Sequence, residues 1–124
     1  MKKLVVDLDG TLTLADTKDY NNVSPRLDAI EKLREYKSLG FTITIFTARN
    51  MRTYDENLGK INIFTLPIII SWLDKHDVPY DEVIVGKPWC GTEGFYIDDR
   101  AIRPSEFANL SIQEITDLIA KETS

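Results

Sequence analysis

The 124-residue chain is long enough for one domain and short for two, and its 43% hydrophobic and 28% charged residues are ordinary for a soluble globular protein. A net charge of −5 disfavours a nucleic-acid or anionic-membrane surface, which needs basic patches, and no apolar run approaches the roughly 18 residues of a membrane span. The single cysteine excludes an internal disulfide and fits a reducing compartment, while Asp7 cuts off the apolar start "MKKLVV" well short of a secretory signal, so a single cytoplasmic domain over residues 1–124 is expected.

In chain order, Lys3–Val6 is a short apolar run of the kind found in strands buried on both faces. Thr11–Val23 is polar and irregular, a loop or small flap. Ser24 then suits an N-cap with Pro25 at the first helical position. Leu27, Ile30, Leu33, Tyr36 and Leu39 follow at near-helical spacing, and Gly40 sits where that helix would stop. "FTITIF", Phe41–Phe46, is β-branched and aromatic, a second strand. Asn50–Phe64 reads as a longer connection. A helix is expected from near Thr65 to about His76, apolar nearly all round and therefore buried on more than one side. "DEVIVGK" supplies a third strand and "GFYIDD" a fourth. The last helix starts at Ser111, with Glu114 completing a capping box. Helices alternating with short buried strands imply an α/β fold, a three-layer Rossmann-like domain around a central parallel sheet, where ligands bind beyond the carboxyl ends of the strands.

Every strand end carries polar residues. The first ends in Asp7 and Asp9, the second in Thr47 and Arg49, the third in Lys87, and the fourth in Asp98 and Asp99. Asp7 and Asp9 are two apart, so extended backbone projects both to one face while Leu8 turns into the core. One carboxylate can attack phosphorus to give an acyl-phosphate, and a second can act as general acid and then base. A phosphate dianion approaching carboxylates meets repulsion of about 4 kcal/mol per close pair at an effective dielectric of ~20. Mg²⁺ on carboxylate oxygens, completed by Asp98, together with Lys87 would offset it, and Thr47 would add a neutral donor.

The pieces "DLDGT", the threonine of "FTAR", "GKP" and "YIDD", in that order, resemble the four motifs of the haloacid-dehalogenase-like superfamily, across Asp7 to Asp99. The resemblance implies a phosphomonoester hydrolase working through an aspartyl-phosphate, with Asp7 as nucleophile and Asp9 as acid/base. Phosphate contacts are expected from Asp9, Gly10, Thr47, Ala48 and Lys87, with Lys87 also steadying Asp7. Mg²⁺ is expected on Asp7, the backbone carbonyl of Asp9 and Asp98, supported by Asp99. The aspartate at position 9 looks like the phosphatase and phosphomutase branch. Neither gap between motifs holds a cap domain, and size and motif wording resemble the small phosphatases associated with bacterial capsule polysaccharide synthesis.

Taken alone, "DG" is common turn chemistry, Thr47 an ordinary strand residue and Lys87 an ordinary surface lysine; their order is what gives them weight. Arg49 and Arg100 are equally suited to clamping a substrate anion or pairing with a carboxylate. Trp89 and Cys90 stand near enough to Lys87 in sequence to touch substrate, Cys90 lacks a histidine partner, and His76 reads as structural. Specificity is expected from the Thr11–Val23 flap, the Asn50–Phe64 connection and Trp89–Gly94. The substrate class is a small sugar phosphate or glycan precursor, with no nucleic acid or membrane as partner. Water exclusion without a cap suggests a homo-oligomer joined through Leu66–Leu73 or Ile61–Phe64. Two alternatives stand beside this: a two-component receiver-like phospho-acceptor, against which the "DxD" spacing and Thr47 speak, and a phosphatase of the same superfamily acting on a macromolecular phosphoester.

Overall fold

Three runs rich in β-branched residues pair in the computed structural model, which describes residues 1–123: β1 (Lys3–Val6), β2 (Thr42–Thr47) and β3 (Glu82–Val85). They form one parallel sheet in the order β1-β2-β3, with Lys3 opposite Thr42 through Val6 opposite Ile45, and Thr44 opposite Glu82 through Thr47 opposite Val85. That register brings the C-terminal ends of all three strands to one edge. The helices are α1 (Leu27–Ser38), α2 (Leu58–Phe64), α3 (Leu66–Lys75), α4 (Pro104–Asn109) and α5 (Ile112–Thr123). Residues divide into two compact units, Met1–Trp89 and the chain from Cys90 onward.

The core of the first unit is built from Ile43 and Ile45 of β2, Ala29, Ile30 and Leu33 of α1, and Ile69, Trp72 and Leu73 of α3. Only β2 buries consecutive residues. In β1 and β3, burial alternates, and Val5 and Ile84 are exposed by 62% and 44%, so the expectation of strands covered on both faces holds for the central strand alone. These two are the outer strands of the sheet, where period-2 alternation decides which residues meet the core. Leu66, Ile68 and Ile70 of α3 are half-buried, whereas Ile63 and Phe64 at the end of α2 are exposed.

Four local expectations need correction. Ser24 is not an N-cap: its carbonyl accepts from the Leu14 amide at 2.8 Å, and the Arg26 amide donates to Leu12 at 2.8 Å, so the run-in to α1 is tied to the flap and the helix starts two residues later. The connection before α3 contains α2, capped by Asn57 Oδ1 accepting from the Lys60 amide at 3.1 Å. Its seven residues are too short for helical periodicity to be read. The six-residue α4 escaped the sequence reading for the same reason. "GFYIDD" is not a strand; Phe95, Tyr96 and Ile97 lie outside the sheet and are exposed. Aromatic and β-branched composition makes a strand only where a neighbour supplies the ladder. The capping box before α5 is formed as expected, Ser111 N–H to Glu114 at 3.0 Å and the Glu114 N–H to Ser111 Oγ at 3.1 Å.

Trp72 joins α3 to the end of the flap, its indole N–H donating to the buried Val23 carbonyl at 2.8 Å. Trp72→Phe removes that donor and leaves a carbonyl unpaired, so a loss of about 1–3 kcal/mol is expected. A lower urea midpoint at unchanged m-value checks it. No helix among the described residues is long and apolar enough to cross a membrane.

Candidate active site

The chain leaves β1 through Asp7, Leu8 and Asp9, and the middle residue is fully buried while its neighbours reach the surface. The Leu8 carbonyl then collects three amides, from Thr11 at 3.2 Å, Leu12 at 2.8 Å and Thr13 at 3.2 Å. This tight turn passes through Gly10 at φ +80°, a conformation that favours glycine. The turn brings Thr11 back beneath the strand end, where its hydroxyl donates to Asp7 Oδ2 at 3.0 Å. Asp7 Oδ1 faces the Lys87 ammonium at 3.5 Å. One carboxylate is thus held between a hydroxyl and a cation, with both side chains of the ion pair only partly exposed.

Lys87 reaches this position because β3 is followed by a turn at Gly86, φ +91°, after which the Lys87 amide donates to the Thr47 carbonyl at 3.1 Å. A Cβ on Gly86 would stand 2.7 Å from Leu58 Cδ2, a side-chain end that can shift, so glycine is favoured here chiefly by its φ.

Asp9 is engaged differently. Arg49 grips it with two hydrogen bonds, Nε to Oδ2 at 3.0 Å and Nη2 to Oδ1 at 2.7 Å. The Arg49 side chain is fully buried, its Cζ lies 4.0 Å from the centroid of the Tyr20 ring in the flap, and Nη1 is buried without a hydrogen-bond partner among the described residues. Of its two possible uses, the one formed in this structure is the carboxylate pair. Thr47 is 1% exposed, and its Oγ1 accepts from the Arg49 amide at 3.0 Å, which leaves its own hydrogen available to another acceptor. Ala48 is half-buried, and its carbonyl accepts from the Met51 amide at 3.1 Å.

Thr11 and Tyr20 are the contacts that sequence reasoning missed. The only signal for Thr11 was the threonine of "DGT" itself, read as part of the turn; nothing in the flap's composition pointed to Tyr20.

Asp98, Asp99 and Arg100 belong to the second unit. All three are exposed, and Asp98 Oδ1 accepts from the Arg100 amide at 2.8 Å. Cys90 begins the same unit and is half-buried. His76 ends α3 against the Trp72 ring, centroids 4.6 Å apart. Burial, reinforced by Lys75 and opposed by Asp77, holds its imidazole below the ordinary value, which favours the neutral form.

Among the described residues, no group of three or more histidine, cysteine, aspartate or glutamate side chains is gathered as a metal site. The donors near β1 are nevertheless hard oxygens of the kind Mg²⁺ takes: the Asp7 carboxylate, 32% exposed, and the Asp9 backbone. Two first-unit donors suit an ion that keeps several of its waters.

The order of these elements, a parallel strand ending in "DLDGT" and a second ending in "TAR", coincides with a family model described as haloacid dehalogenase-like hydrolase, which matches residues 4–71. The chain belongs to the haloacid dehalogenase-like hydrolases. It is a Rossmann-like member without a cap domain, and as a member of this family it is a hydrolase. The match ends before Lys87 and Asp98, so Lys87 rests on the fold and Asp98 on motif wording alone. The hydrolase fold is shared over 98% of this chain and 99% of the other with the crystal structure of a structural-genomics target from Vibrio cholerae, at 72% identity and a TM-score of 0.97. A chain of the Pnkp1/Rnl/Hen1 complex matches at 21% identity and a TM-score of 0.52, over 89% of this hydrolase and 35% of that chain, a likeness of fold alone. No curated protein sequence matches.

Proposed function

We propose that this hydrolase is a Mg²⁺-dependent phosphomonoesterase that works through an aspartyl-phosphate. The observation that carries the reading is the Asp7 carboxylate held between Lys87 Nζ and Thr11 Oγ1 at a strand end. The two donors fix its orientation, and the ammonium offsets part of the repulsion a phosphate dianion meets there. Asp7 attacks phosphorus, the P–O bond to the alcohol breaks, and Asp9 gives its proton to the departing oxygen. Water then attacks the acyl-phosphate, Asp9 takes the proton back, and inorganic phosphate leaves with Asp7 restored. Thr47 and the Ala48 backbone are assigned to the phosphate oxygens, and the Gly10 amide, which donates to Thr13 Oγ1 at 3.2 Å, would join them on exchanging that acceptor. Asp7 and the Asp9 carbonyl are assigned to Mg²⁺, which would neutralise charge between carboxylate and phosphate; for Asp98 and Asp99, the support is motif wording alone.

The substrate class is a small sugar phosphate or glycan precursor, in keeping with the resemblance to capsule-associated phosphatases; a net charge of −5 speaks against nucleic-acid ends and membranes. A cytoplasmic location and a homo-oligomer using the exposed Ile63 and Phe64 belong to the same reading. Pi release from a phosphate-ester panel tests it. Turnover is expected with Mg²⁺, lost on adding EDTA, and restored by excess Mg²⁺. Turnover indifferent to chelation would overturn the metal dependence, and no Pi from any ester would overturn the activity.

A further inference from the structure

The first unit contains an open cleft of about 230 Å³ lined by Met51, Arg52, Asp55, Glu56 and Trp89. We propose that it is the subsite for the leaving group and that it takes a single neutral, hydroxylated sugar ring. This rests on the phosphomonoesterase reading and extends it by assigning residues to which the four motifs give no role.

Placement is the first reason. Trp89 follows Lys87 by two residues, and the Lys87 amide is pinned to Thr47 at the end of β2. Met51 follows Arg49 by two residues, and its amide is pinned to the Ala48 carbonyl. The cleft is therefore lined from both chain segments that leave β2 and β3, each within two residues of a side chain at the strand ends.

Its chemistry is the second. Trp89 is half-exposed, an unusual position for an indole, and offers a flat apolar face. Asp55 and Glu56 supply acceptors only, and Arg52 supplies donors only. An aromatic face with acceptors and donors around it fits a pyranose, which has apolar faces and a rim of hydroxyls. Two carboxylates against one guanidinium make a second phosphate or carboxylate on the leaving group unwelcome. The volume is below the ~300–1,000 Å³ common for drug-sized ligands, which fits one ring and not a nucleotide or oligosaccharide.

The third reason is preorganisation. Asp55 and Glu56 are consecutive non-glycine residues at φ +51° and +64°, a costly conformation held by Asp55 N–H to Arg52 O at 3.4 Å, Glu56 N–H to Met51 O at 2.8 Å and Asn57 N–H to Tyr54 O at 3.0 Å. Both strained residues line the cleft, so the backbone is fixed in the geometry that presents their carboxylates.

Two measurements test the assignment. The first uses the full chain carrying Asp7→Asn and follows acrylamide quenching of tryptophan fluorescence, because Trp72 is 2% exposed and Trp89 is the accessible indole. Glucose 1-phosphate, glucose 6-phosphate, mannose 6-phosphate and N-acetylglucosamine 6-phosphate are the probes, with glycerol 2-phosphate as control. At least one sugar phosphate is expected to shield Trp89, and glycerol 2-phosphate is not; absence of shielding by all four overturns the subsite. The second compares wild type with Trp89→Ala and Arg52→Ala. Each is expected to raise KM for the shielding sugar phosphate about tenfold while kcat/KM for glycerol 2-phosphate stays within about twofold. An equal fall for both substrates overturns the subsite, since the residues would then shape the catalytic centre. Shielding with no Pi from any ester keeps the subsite and sinks the phosphomonoesterase reading; Pi release without shielding does the reverse.

Discussion

Asp7→Asn is expected to abolish Pi release, with a fall in kcat of at least about three orders of magnitude and no loss of folded structure by circular dichroism. The substitution keeps the shape of the side chain and its contact with Thr11 Oγ1, an amide oxygen accepting where a carboxylate oxygen did. What it removes is the nucleophile, because a neutral amide does not form the acyl-phosphate. It also removes the charge that faces Lys87 at 3.5 Å. That ion pair is long and partly exposed, so its loss is worth about 0–1 kcal/mol to stability. The folded state should therefore survive while chemistry does not. Rapid-quench measurement of Pi over the first turnover checks this: the variant should show neither burst nor steady state. Residual turnover within tenfold of wild type would mean that another residue attacks phosphorus, and the reading of β1 would have to be abandoned.

How much of this was legible in the sequence follows from the range of the interactions involved. The strands of the sheet and the residues at their ends could be read because each is a local pattern, an apolar run broken by a carboxylate, a threonine or a lysine. Parallel pairing then brings Asp7 and Lys87 together although 80 residues separate them, since the register fixes which ends share an edge. The Arg49–Asp9 grip was not legible. Pairing and substrate clamping place the same demands on an arginine after a strand, and only the tertiary structure chooses between them. Tyr20 sits in a flap without periodicity, so its stacking on Arg49 left no trace in the pattern. α2 and α4 are shorter than two full helical periods need, and α1 begins late because the Ser24 carbonyl is taken by Leu14. The "GFYIDD" error has the opposite origin: strand-forming composition is a local property, whereas a strand needs a neighbour.

That grip on Asp9 carries the second large effect. Arg49→Met is expected to slow the first step, phosphoryl transfer from alkyl and sugar phosphates to Asp7, about 10- to 100-fold, while the single-turnover burst of p-nitrophenolate from p-nitrophenyl phosphate slows less than about threefold. A carboxyl group offers about four lone-pair sites, and Arg49 takes two of them, one on each oxygen. The remaining two are free to hold and transfer a proton, so the guanidinium can fix the carboxyl plane without blocking its chemistry. Arg49 is itself immobile: fully buried, capped by Tyr20, with its amide on Thr47 Oγ1. Methionine fills the space but releases Asp9 into several rotamers; a misplaced proton donor slows the first step, transfer of the phosphoryl group to Asp7, only where the leaving oxygen needs the proton, whereas hydrolysis of the acyl-phosphate slows with every substrate. An alkoxide needs the proton; p-nitrophenolate leaves without it. Arg49→Lys should behave nearly as badly, because one ammonium cannot reproduce two parallel hydrogen bonds. Stability is expected to fall only about 1–2 kcal/mol, since the Asp9 carboxylate is 38% exposed and water can replace the lost partner. The leaving-group comparison separates positioning from mere destabilisation, which would lower both substrates together. A rise in turnover of alkyl phosphates would show instead that the pair restrains Asp9 and must break before each proton transfer.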